Sequence, residues 1–156
     1  MGYYFLGSRH SKSLQTYYLI KIGKVLTVKV QIIHAGDFIK TTPEGEVSLK
    51  LSKTRLAKIV QALEPNHDYN FLVDWRNVSI NFSMTHLFFL ALEILKYEAL
   101  SGAKISLLVK HDDFDRGEFL QICAQNRGVQ LAAYTEYENA MNWLTTENEI
   151  DLQELS

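Results

Sequence analysis

From Asn70 onward the chain alternates short, continuous apolar runs with longer stretches of helical spacing, and few folds accept that rhythm. Phe71-Leu72-Val73, Ile105 to Val109 and Val129 to Tyr134 are too short for helices. They have the apolar character of strands covered on both faces. Between them lie segments with helix signals. Ser83 or Asn81 is placed to cap a helix from Met84 to Ser101, with Gly102 to end it. Asp112 or Asp113 is placed to cap a second, which runs to Arg127 and stops at Gly128. Thr135 and Glu138 have the spacing of a capping box, opening a last helix that carries Ala140, Met141, Trp143 and Leu144. Strands separated by helices in this way are joined by right-handed crossovers and lie parallel.

The first third has a different period. Tyr18, Ile20 and Ile22 alternate with Leu19 and Lys21, Gly23-Lys24 reads as a turn, and Leu26, Val28, Val30 and Ile32 alternate with polar residues. Period two on both sides of a short turn predicts a β-hairpin. A second hairpin is expected from Phe38 to Thr41, across Thr42-Pro43-Glu44-Gly45, to Val47, Leu49 and Leu51. Ser52 is then placed to cap a helix that carries Leu56, Ile59, Val60 and Leu63 and is ended by Pro65. The reading is an α/β fold with a mixed, mostly parallel sheet, N-terminal antiparallel hairpins and alternating helices. Residues 15–145 are expected to form one domain, with 1–14 an N-terminal extension and 146–156 an acidic tail.

Composition narrows the function classes. At 156 residues, 47% apolar, the chain can bury a core without a disulfide or a structural metal. A formal net charge of −2 gives no support to a nucleic-acid partner. Cys123 is the sole cysteine, so no intramolecular disulfide is possible, and mid-helix it reads as a buried structural thiol. No apolar run approaches the roughly 20 residues of a membrane span. The chain is therefore read as cytoplasmic, with no transmembrane segment. It has no GxGxxG, Walker A, GxSxG or CxxC pattern, and neither a cofactor nor a metal is expected. Asp37 stands alone, without the acidic pair of a receiver domain.

In open α/β sheets the functional edge lies beyond the C-terminal ends of the parallel strands. Asp74-Trp75-Arg76-Asn77, Lys110-His111-Asp112-Asp113 and Tyr134-Thr135-Glu136 are expected to meet there, with Ser83, Thr85 and His86 nearby. Asp74 reads either as a reactive carboxylate or, more commonly at such loops, as a partner for Arg76 or for backbone N–H groups. Lys110 to Asp113 lacks a specific metal-ligand spacing and reads first as a solvated, helix-capping turn. His86 can act as a base or pH sensor, but a surface or satisfied core histidine is the commoner case. Trp143 fits the core stripe of the last helix, and Trp75 is the better candidate for an exposed stacking contact.

The run Phe71-Leu72-Val73-Asp74-Trp75-Arg76-Asn77-Val78 resembles the strand, Asp and short loop of the STAS superfamily, the fold of bacterial anti-sigma-factor antagonists, and more narrowly its SpoIIAA-like or SEC14-like branch. Lys104-Ile105-Ser106-Leu107-Leu108-Val109 and the Gly128-to-Leu144 segment, with its Ala140-x-x-Trp143-Leu144 ending, are similar to the later elements of such chains. The resemblance implies a regulatory, protein-binding role, with a phosphate-accepting serine at the start of the helix after the Asp-containing strand. The family pattern there is Asp-Ser-Ser-Gly. This chain has Phe82-Ser83-Met84-Thr85, so Ser83 matches the first serine and Met84 falls on the accepting position.

Three functions follow as expectations. The first is a non-enzymatic interaction domain with a protein partner, or a second copy of itself in a homodimer. Its surface would span Asp74, Trp75, Arg76, Ser83, Thr85, His86, Lys110, His111 and Asp112. The second is the binding of a small apolar ligand or lipid, in a pocket lined by Trp75, Phe88, Phe89 and tyrosines. The third is an enzyme that uses Asp74, His86 or His111.

Overall fold

A seven-stranded mixed sheet organises the described residues. The computed structural model describes residues 5–6, 15–22, 26–33, 38–63 and 69–146. The expected Gly23-Lys24 turn, Asp37, Pro65 and the expected tail beyond residue 146 lie outside them, as do residues 1–4 and 7–14 of the expected extension. The elements in chain order are β1 (Phe5–Leu6), β2 (Gln15–Ile22), β3 (Leu26–Ile33), β4 (Phe38–Thr42), β5 (Gly45–Val47), α1 (Leu49–Gln61), β6 (Asn70–Asp74), β7 (Val78–Ile80), α2 (Met84–Ile94), β8 (Lys104–Leu108), α3 (Phe114–Gln125), β9 (Gln130–Tyr134) and α4 (Tyr137–Thr145). The large sheet runs β1-β2-β3-β4-β6-β8-β9. Its first four strands pair antiparallel, and β4, β6, β8 and β9 pair parallel. This is the mixed, mostly parallel arrangement that the two periodicities predict, and the hairpin of β2 and β3 is in place.

The second hairpin does not form. β4 pairs with β3 and β6, while β5 leaves the sheet and pairs parallel with β7 in a separate two-stranded ribbon. Gly45, at φ 80°, takes the left-handed turn that sends the chain away from β4. Leu49 and Leu51, expected to continue a strand, belong to α1, which opens at Ser48 rather than at Ser52. Ser52 sits within the first turn, its N–H donating to Ser48 O at 2.9 Å. Three alternating apolar residues fit a strand and a helix start equally, and burial of Val47 against β7 settles the matter locally.

Three other boundaries shift. α2 stops at Ile94, not Ser101. The chain then tightens, with Lys96 N and Tyr97 N donating to Glu93 O and Ile94 O, and a 3₁₀ turn at Glu98–Leu100 precedes Gly102 at φ 80°. α3 follows a 3₁₀ turn at His111–Asp113, and the Asp113 carboxylate accepts from Arg116 Nη1 at 3.0 Å instead of capping the helix. α4 opens at Glu136 without the expected Thr135–Glu138 box.

Register explains the two-layered core. Ile39, Phe71, Ile105 and Leu131 form one row across the parallel strands, and Thr41, Val73, Leu107 and Ala133 form the next on the same face. α1, α2 and α3 pack over this face through Ile59, Leu87, Leu90, Ala91, Leu120 and Ala124. Leu87 has no exposed surface and contributes roughly 1.5–3 kcal/mol by its burial. On the opposite face Phe38, Leu72 and Leu108 pack beneath Ala140 and Leu144 of α4. Lys104 anchors that helix from below: its ammonium donates to the carbonyls of Trp143 and Thr146 and lies over the Trp143 ring. Among the described residues no helix is long and apolar enough to cross a membrane.

Candidate functional site

The three segments expected at the strand ends do lie side by side. Trp75 N donates to Leu108 O at 2.7 Å, Val109 N to Tyr134 O at 2.9 Å, and Lys110 Nζ to Val78 O at 3.2 Å. Asp74 is buried at the end of β6. Its Oδ1 accepts from Arg76 N and Nε, and its Oδ2 from Arg76 Nη2 at 2.9 Å. Burial pushes the Asp74 carboxyl up, but the Arg76 hydrogen bonds and charge, helped by Lys40, outweigh it and hold the group below the ordinary carboxylate value. The same hydrogen bond raises Arg76, against its own desolvation, with further support from the Asp74 charge and from Glu136 and Tyr137 at the start of α4. A carboxylate committed to a bidentate guanidinium and a backbone N–H is a structural pin for the loop, not a free base or acceptor.

The other expected residues are dispersed. Ser83 and His86 form a reciprocal cap at the start of α2: Ser83 Oγ accepts from His86 N, and His86 Nδ1 accepts from Ser83 N. Ser83 was expected as a cap, whereas the return bond from histidine, in the place usually held by Glu or Gln, was not. Thr85, His86, Lys110, His111 and Asp112 are exposed. No hydrogen bond joins Asp74, His86 and His111 among the described residues, and no group of three or more His, Cys, Asp or Glu there is placed to hold a metal. Trp75 corrects its expectation: it is only 7% exposed and stacks on Phe82 with ring centroids 5.5 Å apart. The loop pinned by Asp74 and Arg76 turns its indole inward, into the core. Cys123 is buried, as a structural thiol would be.

Between the sheet and the helices is a partly open cavity of about 100 Å³. Its walls are mostly apolar, with Leu56 and Ile59 from α1, Phe71 from β6, Ile94 from α2, Ile105 from β8 and Leu120 from α3. Trp75 lines it, but Phe88 and Phe89 do not: Phe89 is 44% exposed, and Phe88 lies under the Arg127 guanidinium at 4.6 Å. Thr41 of β4 and Ser52 of α1 bring hydroxyls to the lining.

Arg55 also lines the cavity, although it is only 6% exposed. Its Nε, Nη1 and Nη2 have no hydrogen-bond partner among the described residues. Desolvation lowers its pKa from the ordinary arginine value. Ser106 Oγ is the other unpartnered buried side-chain group among the described residues. A lone hydroxyl costs about 1–3 kcal/mol, whereas a buried cation without a partner costs far more and is among the most expensive features a core can hold. The sequence did carry a signal for Arg55. Ser52, Arg55, Leu56 and Ile59 follow the i, i+3, i+4, i+7 spacing of a single helix face, which sets a guanidinium in the buried stripe.

No family model matches the chain, and no curated protein matches it. The structure is similar to the crystal structure of an uncharacterized protein from the DUF3478 family, with a SpoIIAA-like fold, from Shewanella loihica PV-4. That similarity has a TM-score of 0.46 at 10% sequence identity and covers 80% of this chain and 98% of the other.

Proposed function

We propose that this domain binds a small, largely apolar molecule in the cavity between the parallel strands and α1, α2 and α3. One observation carries the reading: protein interiors are packed almost without voids larger than a water, yet this core leaves about 100 Å³ open beside Trp75. An engineered apolar cavity of about 150 Å³ in another protein stays dry and takes up benzene. A cavity two-thirds that size suits a molecule of a few carbons and is far below the roughly 300–1,000 Å³ of pockets for drug-sized ligands. The reading is tested by titrating 1-pentanol into protein labelled at its Ile, Leu and Val methyl groups. Saturable shifts centred on Leu56, Ile59, Ile94 and Ile105 are expected, and their absence overturns the reading.

A second reading is a protein-contact surface at the start of α2, with a second copy of the chain as its simplest occupant. It is favoured by Met84 and Phe89, which are 49% and 44% exposed on that helix beside Ser83, Thr85 and His86. Light scattering after size exclusion checks it. A dimer converted to monomer by Met84→Glu with Phe89→Glu supports this reading, and a wild-type monomer at high concentration overturns it.

A further inference from the structure

We propose that the cavity's ligand is a short-chain monocarboxylate of about four or five carbons, whose carboxylate pairs with the Arg55 guanidinium. The inference rests on the ligand-binding reading and adds the chemical class.

Arg55 presents three unpartnered nitrogens while 94% of its surface is removed from water, as its 6% exposure shows. Replacing such a group by a hydrophobic side chain of similar volume is commonly neutral or stabilising. The fold therefore carries a cost that no partner among the described residues offsets. The position is not forced by local geometry, since Arg55 shares its helix face with Ser52, Leu56 and Ile59, where an apolar residue would complete the stripe. A guanidinium facing a cavity is a fork of donors awaiting an acceptor.

Charge and size choose the acceptor. Among the described residues, the other side chains that line the cavity are apolar or hydroxyl-bearing, so Arg55 supplies the only formal charge there. One carboxylate balances one guanidinium and matches its planar fork with two parallel hydrogen bonds. A phosphate monoester, near two charges at neutral pH, would leave a net negative charge in the core. Thr41 and Ser52 can donate hydroxyl hydrogens to the same head group, and the apolar walls take the tail. A volume of about 100 Å³ restricts that tail to a few carbons. The ionised acid thus replaces a solitary buried charge by a neutral, hydrogen-bonded pair, an advantage an alcohol of the same length lacks.

The test is calorimetric titration of the full chain with sodium pentanoate and, separately, with 1-pentanol. Pentanoate is expected to bind at least about tenfold more tightly, since a hydrogen bond to a charged group carries that difference. Arg55→Met should abolish the preference while retaining the alcohol, and its ligand-free melting temperature should equal or exceed that of the wild type. A measurement on the wild type alone serves if the variant does not fold: lowering the pH from 7 through the carboxyl range, about 4 to 5, should weaken pentanoate and leave 1-pentanol unchanged. Equal affinity for acid and alcohol, or pentanoate binding that survives Arg55→Met, overturns the carboxylate assignment and leaves the cavity reading standing. Binding of neither compound overturns both.

Discussion

Arg76 closes Nε and Nη2 onto the two carboxylate oxygens of Asp74, at 3.0 and 2.9 Å, two residues along the same chain. The Asp74 side chain is 4% exposed and that of Arg76 39%, so a buried anion is held by a half-exposed cation. Removing the cation leaves the buried anion with one backbone N–H and the charge of Lys40 as its remaining support. Arg76→Met should therefore destabilise the fold at pH 7 by about 2 kcal/mol, below the range for fully buried pairs because solvent screens the arginine. The pH dependence has a definite sign. The folded carboxyl titrates below its ordinary value, so the pair's contribution is complete above the unfolded value of about 3.9 and is lost as pH falls through the lower folded value. Denaturant titrations of wild type and Arg76→Met at pH 7 and below pH 3 should give stabilities that converge at the lower pH.

Gly117 lets α3 approach β9 more closely than a side chain would permit. A Cβ placed there would lie 3.1 Å from Ala133 Cβ and 3.3 Å from Val109 Cγ2. Helix propensity alone favours alanine over glycine by about 1 kcal/mol. Overpacking typically costs about 1–3 kcal/mol, and Ala133 Cβ, fixed to the strand, has no rotamer with which to yield. The clash should win. Gly117→Ala is expected to lower the melting temperature, and adding Ala133→Gly should recover part of the loss; a more stable Gly117→Ala protein would show that β9 moves freely away from α3.

Lys104 lies in β8 but serves α4. Its ammonium donates to the carbonyls of Trp143 and Thr146 at the helix end, where backbone carbonyls lack intrahelical partners and a cation is favoured. Lys104→Met keeps most of the packing and removes the donor. It should cost about 1–2 kcal/mol. Amide exchange checks the locality: protection should fall at Trp143 to Thr146 and hold in β6 and β8.

The parallel half of the fold was legible because continuous apolar runs between helix signals leave little choice: β6, β8 and β9 fall on the runs from Phe71, Ile105 and Val129. The missed elements are those in which local pattern and long-range pairing compete. Val47, Leu49 and Leu51 alternate like a strand, but β5 pairs with β7, about thirty residues away, and nothing local announces such a contact. The apolar run through Leu95 hid the end of α2, because a helix buried on several sides shows no phase to lose. At the strand ends the meeting of Asp74, Lys110 and Tyr134 followed from topology, whereas the inward turn of Trp75 depended on which face Phe82 offered. Arg55 was legible from helical phase and overlooked because a charge in an apolar stripe is usually taken for surface.

Ser83 separates a structural role from a regulatory one. Its hydroxyl satisfies His86 N at the start of α2, and Ser83→Ala should cost about 1 kcal/mol, the usual loss for an N-cap. Ser83→Asp should be close to neutral at pH 7, because aspartate is as good a cap and a negative charge is favoured at a helix N-terminus. Stability alone would then not distinguish serine from its acidic mimic. Any loss of self-association in Ser83→Asp that Ser83→Ala does not share would act through charge at the exposed surface beside Met84, and not through fraying of α2. Thermal melts with light scattering on the same three proteins decide it: an Asp variant destabilised as much as the Ala variant would show that the cap needs the serine hydroxyl in particular and that the His86 return bond depends on it.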